Sequence, residues 1–303
     1  MSFMTGIKAG KAYRLQKNGN KEEAIRLYEE CFAEGLNDPR YNLAYALLII
    51  RDGQYRKAKE FLVKHQKAPG MTPEQRVNLL VDYAVCCFRL GDLDKGIDTL
   101  EQQFRKTETG LLFQTLGYLY VEKYDQAHRP DFAALAAEQE AAEAEQEAAE
   151  AEAAEEQAES PAAPDPENPE QAPAVPAQES EAAEKPLTPE EAWNAGVEKA
   201  EAFLLKALEY DDEDPICLDN QAQFLYRVRG DRAAAKPYFE KALSFKENQI
   251  DTLVFLSRYD EEAGDRGAAL EKLEKARDGR FSPLNYWSRE QVEREISRLK
   301  EAR

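Results

Sequence analysis

The sequence predicts an all-α protein built from helical hairpins stacked in a row, and three observations predict it. Glycines recur at near-constant intervals: 34 residues from Gly19 to Gly53, 38 from Gly53 to Gly91, and again 34 from Gly230 to Gly264. Seven residues before these glycines stands a small side chain (Ala12, Ala46, Ala84, Ser257), and five after them another (Ala24, Ala58, Gly96, Ala235, Ala269). Nine after them stands a large apolar one: Tyr28, Leu62, Leu100, Phe239 and Leu273. Two antiparallel helices joined by a short turn approach closely only where small side chains meet, and residues four apart share a helix face. A single hairpin cannot bury its own apolar stripe, so neighbours must stack.

In chain order, Gly19, Gly53 and Gly91 mark the turns of the first three hairpins. The four extra residues before Gly91 fall at Pro69-Gly70, ahead of Met71-Thr72-Pro73, which reads as a helix break and restart. The twelfth position past the hinge holds Cys31, Ala242 and Ala276 but also His65 and Gln103, two departures from a small residue. A fourth hairpin begins at Leu111 to Tyr124, yet no second helix follows at once. Its partner is the run Ala200, Leu204, Ala207, Leu208 before Asp214-Pro215, so an insertion opens this hairpin at its tip. Such insertions are tolerated, because closing a longer flexible loop costs only about 0.6 kcal/mol per doubling of its length. Hairpins around Gly230 and Gly264 follow. Ser288 with Gln291 then forms a capping-box pattern ahead of Val292, Ile296 and Leu299, a polar-backed helix suited to sealing the stack.

The insertion carries almost all of the net charge of -19: from Asp131 to Lys185 there are 17 acidic residues and one lysine. Ala133 to Ser160 holds 13 alanines and 10 glutamates, and eight prolines follow from Pro161 to Pro189. Alanine and glutamate favour helix, but like charges four apart repel, no apolar face exists to dock, and prolines end helices. A long disordered acidic insert is expected, an arm that aids solubility or loosely contacts a basic partner. Thr188-Pro189-Glu190-Glu191 is a helix start. The expected organisation is 5–127 for the first part of the array, 128–188 for the insert, and 189–303 for the remainder, about six hairpins plus the capping helix.

The runs Gly19-Asn20-Lys21-Glu22-Glu23-Ala24-Ile25-Arg26-Leu27-Tyr28, Gly91-Asp92-Leu93-Asp94-Lys95-Gly96-Ile97, Leu116-Gly117-Tyr118-Leu119-Tyr120 and Ala235-Lys236-Pro237-Tyr238-Phe239-Glu240-Lys241-Ala242-Leu243 resemble tetratricopeptide repeats. The resemblance covers residues 5 to 127 and 189 to 283. It implies a right-handed superhelix of hairpins whose first helices line a concave, usually protein-binding, groove.

Enzymatic chemistry is not expected. His65 and His128 are the only histidines, and neither belongs to a metal-ligand pattern; no phosphate loop, nucleophile elbow or dinucleotide fingerprint occurs. Asp211-Asp212-Glu213-Asp214 lacks the glycine and terminal glutamate of a calcium loop. Cys31, Cys86, Cys87 and Cys217 read as buried thiols. Neither a cofactor nor a metal is expected. Nucleic acid is not an expected ligand, since no basic stripe exists to neutralise phosphates. The longest apolar stretch, Leu43 to Ile50, is far short of a membrane span, and the first residues lack a signal-peptide core, so a cytoplasmic protein is expected.

Carried through the hinge phase, the implied groove positions are Leu43, Leu47, Val85, Phe88, Gln114, Tyr118, Asn220, Phe224, Arg227 and Arg258. They read as an apolar lane that turns polar toward Asn220, Arg227 and Arg258. Leu43, Leu47 and Val85 stand where the family's carboxylate clamp needs charge or amide, so an acidic C-terminal tail is not the expected ligand. A peptide or amphipathic helix of a partner protein suits the lane, with Phe88, Tyr118 and Phe224 as aromatic anchors. The alternative is a self-associating structural protein whose lane is covered by another copy. A third arrangement lays the acidic insert over Arg227 and Arg258.

Overall fold

The computed structural model describes residues 3–138, 141–142, 145–146 and 187–301, and all regular structure among them is helical. Most of the expected insert, with its expected disorder, lies outside the described residues. Contacts divide the chain into one unit of residues 1–128 and 198–303 and another of 129–197.

In the first unit, α1 (Phe3–Lys17) pairs with α2 (Lys21–Ala33), α3 (Pro39–Arg51) with α4 (Tyr55–His65), and α5 (Pro73–Arg89) with α6 (Leu93–Phe104). The hinge glycines share one backbone solution. Gly19, Gly53, Gly91, Gly230 and Gly264 all have φ between 70° and 85°, a left-handed conformation that glycine alone adopts at no steric cost. At Gly19 the next N–H, from Asn20, reaches back to the Leu15 carbonyl at 2.9 Å, the six-residue closure that ends helices at such glycines. The small positions are contact points: Ala12, Ala24, Ala46, Ala58 and Ala84 are fully buried. A Cβ on Gly96 would stand 3.1 Å from the Ala84 carbonyl oxygen. The restart at Thr72 carries a full capping box, with Thr72 and Gln75 each bonded to the other's backbone N–H.

The opened fourth hairpin closes across the insertion. α7 (Gly110–Tyr124) meets the 198–210 part of α8 (Pro189–Tyr210), with Leu204 a close 3.0 Å from where a Gly117 Cβ would be. Phe203 packs edge-on to Phe104 and Tyr120. In the second unit Thr188 and Glu191 cap the start of α8 reciprocally, Arg129 pairs with Glu190 at 3.1 Å, and Phe132 lies edge-on to Trp193.

Next come α9 (Pro215–Gln223), which continues as a π-helical turn over Phe224–Val228, α10 (Arg232–Phe245), α11 (Ile250–Glu262), α12 (Arg266–Arg277) and α13 (Arg289–Glu301). Ser288 and Gln291 form the anticipated box, and Val292, Ile296 and Leu299 are buried. Two clusters of buried side chains stand out among the described residues. One is built on Tyr28, Tyr45, Ile49 and Leu62, the other on Phe239, Phe255, Leu273 and Trp287. Between α12 and α13 runs an eleven-residue connection, Asp278–Ser288, far longer than the three-residue hairpin turns.

Candidate functional site: a groove on the inner face

The first helix of each pair contributes to one inner face. At its front, Tyr13, Leu43, Leu47, Val81 and Leu111 form an apolar floor and wall, with Lys17, Arg40, Arg51, Arg280 and Asp82 around them, enclosing about 600 Å³. A second recess of about 580 Å³ shares Leu47, Arg51, Asp82, Leu111 and Arg280 with the first. It continues past Val85, Gln114, Tyr118 and Asn220 and ends against Ser282–Asn285.

That end is closed by the 278–288 connection, which crosses the inner face as a strap. Ser282 to Asn285 is a tight turn: the Asn285 side chain accepts from the Ser282 N–H at 2.7 Å, and the Asn285 N–H donates to the Ser282 carbonyl at 3.1 Å. Arg89 Nε donates to the Pro283 carbonyl at 2.8 Å, and Leu284 packs on the front core cluster. Asp251 fixes the other end by accepting from Asn285 Nδ2 (3.1 Å), Tyr286 N (3.0 Å) and Trp287 N (3.1 Å). Tyr286 and Trp287 join the second cluster, where Tyr286 stacks on Phe255.

Electrostatics differ along the groove. At the back, Arg227 is 6% exposed and pairs with Glu122 and Asp125, each at 2.7 Å, while it donates to Gln223 Oε1. Its guanidinium lies 3.6 Å from the centre of the Tyr286 ring. Burial opposes its charge, and the two carboxylates more than offset that, so its affinity for the proton is raised. Burial pushes the Asp251 carboxyl up to about 7, with Asp219 adding to the effect. At the front, Arg40 is tied to Asp38 at 2.8 Å. Burial pushes Asp82 up to about 7, with Arg51 opposing. Among the described residues no three His, Cys, Asp or Glu side chains form a group that could hold a metal ion, and no helix is long and apolar enough to cross a membrane.

A sequence model of the anaphase-promoting complex, cyclosome, subunit 3 matches residues 17–103. No curated protein sequence matches the chain. Among solved structures it is similar to TTC0263, a thermophilic TPR protein in Thermus thermophilus, with a TM-score of 0.54 at 13% identity over 87% of this chain and 99% of that one. PilW, a type IV pilus biogenesis factor, gives 0.53 at 13% identity over 91% and 93%. A chain of the APC/C hetero-tetramer Cut9-Hcn1 gives 0.53 at 12% identity over 94% of this chain and 40% of that one. At such identities the likeness to the solved structures is one of fold. The fold is that of a tetratricopeptide-repeat array.

On this tetratricopeptide array the ten sequence-derived groove residues part into two sets. Leu43, Leu47, Val85, Gln114, Tyr118 and Asn220 border the two recesses. Gln114 Nε2 is tied to Asp214 at 2.6 Å, and Asn220 Nδ2 donates to the Gln114 carbonyl at 2.8 Å, so these amides are engaged by neighbouring helices. The other four do not border them. Phe224 is 0% exposed and belongs to the interior, which corrects its reading as an anchor. Arg227 is likewise buried in its ion pairs, because the π turn and the strap enclose it. Arg258 lies over the Trp287 ring at 4.7 Å, and Phe88, half-buried, stands edge-on to Tyr118. The cover over Arg227 and Arg258 is thus Tyr286 and Trp287. His65 is half-buried, bonded to Asn37 at 3.1 Å and stacked on Phe61.

Hinge phase alone misses Arg51, Asp82, Arg280 and the strap. The strap did leave a signal: Phe281-Ser282-Pro283-Leu284-Asn285-Tyr286-Trp287 is too aromatic for a solvated linker. Arg280 had none, since no repeat position specifies it.

Proposed function

We propose that this array is a non-enzymatic scaffold whose groove receives an extended segment of a partner protein. The observation that carries this reading is the strap. The groove already holds a non-helical stretch of polypeptide, gripped through backbone (Arg89 to Pro283 O, Asp251 to Tyr286 N and Trp287 N) and through apolar side chains (Leu284, Tyr286). A foreign segment entering at the front would meet the same kinds of group: the apolar floor of Leu43, Leu47 and Val81, beside donors on the rim. Peptide recognition of this sort draws affinity from a few apolar anchors and specificity from placed polar groups.

The test is capture from a native lysate with the wild-type chain beside a Leu43→Glu, Leu47→Glu variant of equal helicity and melting temperature. Proteins retained by the wild type and lost by the variant are the expected result. An identical retained set would sink the groove as the binding surface.

A further inference from the structure

The front of the groove holds an electrostatic arrangement that folding alone does not explain. Arg51, at the end of α3, and Arg280, on the strap, border both recesses together. Both are exposed at the surface, and neither forms an ion pair among the described residues. Arg40, near the same recess, differs in meeting a carboxylate, Asp38, at 2.8 Å. Burial and the nearby charge of Arg280 both lower the proton affinity of Arg51, so the two cations feel each other. Asp82 is the acid beside them, and its own burial raises its pKa to about 7, which weakens it as a counter-charge near neutrality.

The backbone on both sides of Arg280 is fixed. Gly279 passes so close to Ile250 that an added Cβ would come within 2.7 Å of its side chain, and Arg289 donates to the Gly279 carbonyl at 3.0 Å. The Ser282–Asn285 turn fixes the chain on the other side. A second cation thereby borders the same recesses as Arg51, with no ion-pair partner among the described residues, at the mouth of an apolar floor.

We infer that the front of the groove is a composite subsite for a peptide that carries an apolar side chain beside a carboxylate, the apolar group on Leu43, Leu47 and Val81 and the carboxylate between Arg51 and Arg280. This rests on the groove reading above and deepens it by naming the ligand chemistry. It differs from a clamp formed by repeat residues alone, because one of the two cations comes from the strap between α12 and α13. Guanidinium groups suit the role, since their planar forks bind carboxylates through paired N–H donors.

The experiment measures fluorescence anisotropy with the full chain and two matched sets of labelled, C-amidated hexapeptides. One set contains Leu or Phe with a Glu one to four residues away; the other has Gln in its place. A third set ends in a free carboxylate, which separates a side-chain source from a terminal one. At about 50 mM salt, peptides with a carboxylate should bind at least about tenfold more tightly than their Gln or amide counterparts, an advantage that shrinks with added salt. Arg51→Ala and Arg280→Ala should each remove that advantage, and Arg280→Lys should retain part of it. Both arginines are exposed, so folding is not at stake. Equal binding of Glu and Gln peptides overturns the subsite and leaves the groove reading standing. An advantage that survives Arg280→Ala also overturns it. Failure of every set to bind the wild type overturns both.

Discussion

The front and back of the groove are made by the same helix positions, yet only the front is open. At the front, Leu43 and Leu47 are half-buried at a recess and Arg51 has no ion-pair partner among the described residues. At the back, Phe224 is sealed, Arg227 is locked to two carboxylates, and Arg258 is stacked under Trp287. The repeats set where side chains point; a segment outside the repeats decides which of them a ligand can reach. A cation buried between carboxylates is part of the fold, whereas Arg51 and Arg280 on the open rim are exposed.

The largest expected effect tests the closed half. Arg227→Met would leave Glu122 and Asp125 buried without their cation, and loss of one partner from such a pair costs about 3–5 kcal/mol, read as a lowered urea midpoint. An unchanged midpoint would mean that Arg227 is not the keystone of the back half. Leu284→Ala removes the strap's contact with the front cluster and should cost about 2 kcal/mol. Hydrogen exchange should quicken in α5 and α11, which hold the strap's two ends, while α1 and α2 keep their protection. Uniform acceleration across all helices would deny the strap a local role.

A smaller effect concerns pH. Asp82 holds its proton up to about 7 in the folded chain against a usual value of 3.8. The stability it contributes is therefore full below about 4 and is lost as pH rises toward 7. Asp82→Asn should leave melting at pH 4 unchanged and raise it by a few degrees at pH 8. A rise of equal size at both pH values would place the benefit elsewhere. The smallest effect belongs to Arg51→Met, which removes a cation near Arg280 and should shift stability by no more than about 0.5 kcal/mol. The pair Arg51→Met and Arg227→Met sharpens the contrast between halves; equal losses would abolish it.

Much of the architecture was legible in the sequence, because its determinants are local. Gly19, Gly53, Gly91, Gly230 and Gly264 mark hinges through a backbone need that glycine meets, and Ala84 facing Gly96 shows why the small positions are small. The return of the fourth hairpin's second helix after the insertion was legible too, since Leu204 and Ala207 carry the apolar stripe. The site was legible only in part. Leu43, Leu47, Val85 and Tyr118 follow from hinge phase, but Phe224 and Arg227 were misplaced as open surface. Their burial depends on the π turn at Phe224–Val228 and on a strap that arrives from more than fifty residues downstream. Neither follows from the repeat period, and Arg280, the strap's cation, has no repeat position at all.

The bond from Arg89 to the Pro283 carbonyl joins residues 194 apart in sequence. Arrays of this kind otherwise fold through contacts between adjacent units, with low contact order and many possible starting points. This one contact, with Leu284 beside it, ties the third hairpin to the end of the chain, so the strap can dock only after the intervening hairpins are in place. Folding should therefore show a late step that follows formation of the helices, and the front of the groove, which takes Arg280 from the strap, is complete only after it.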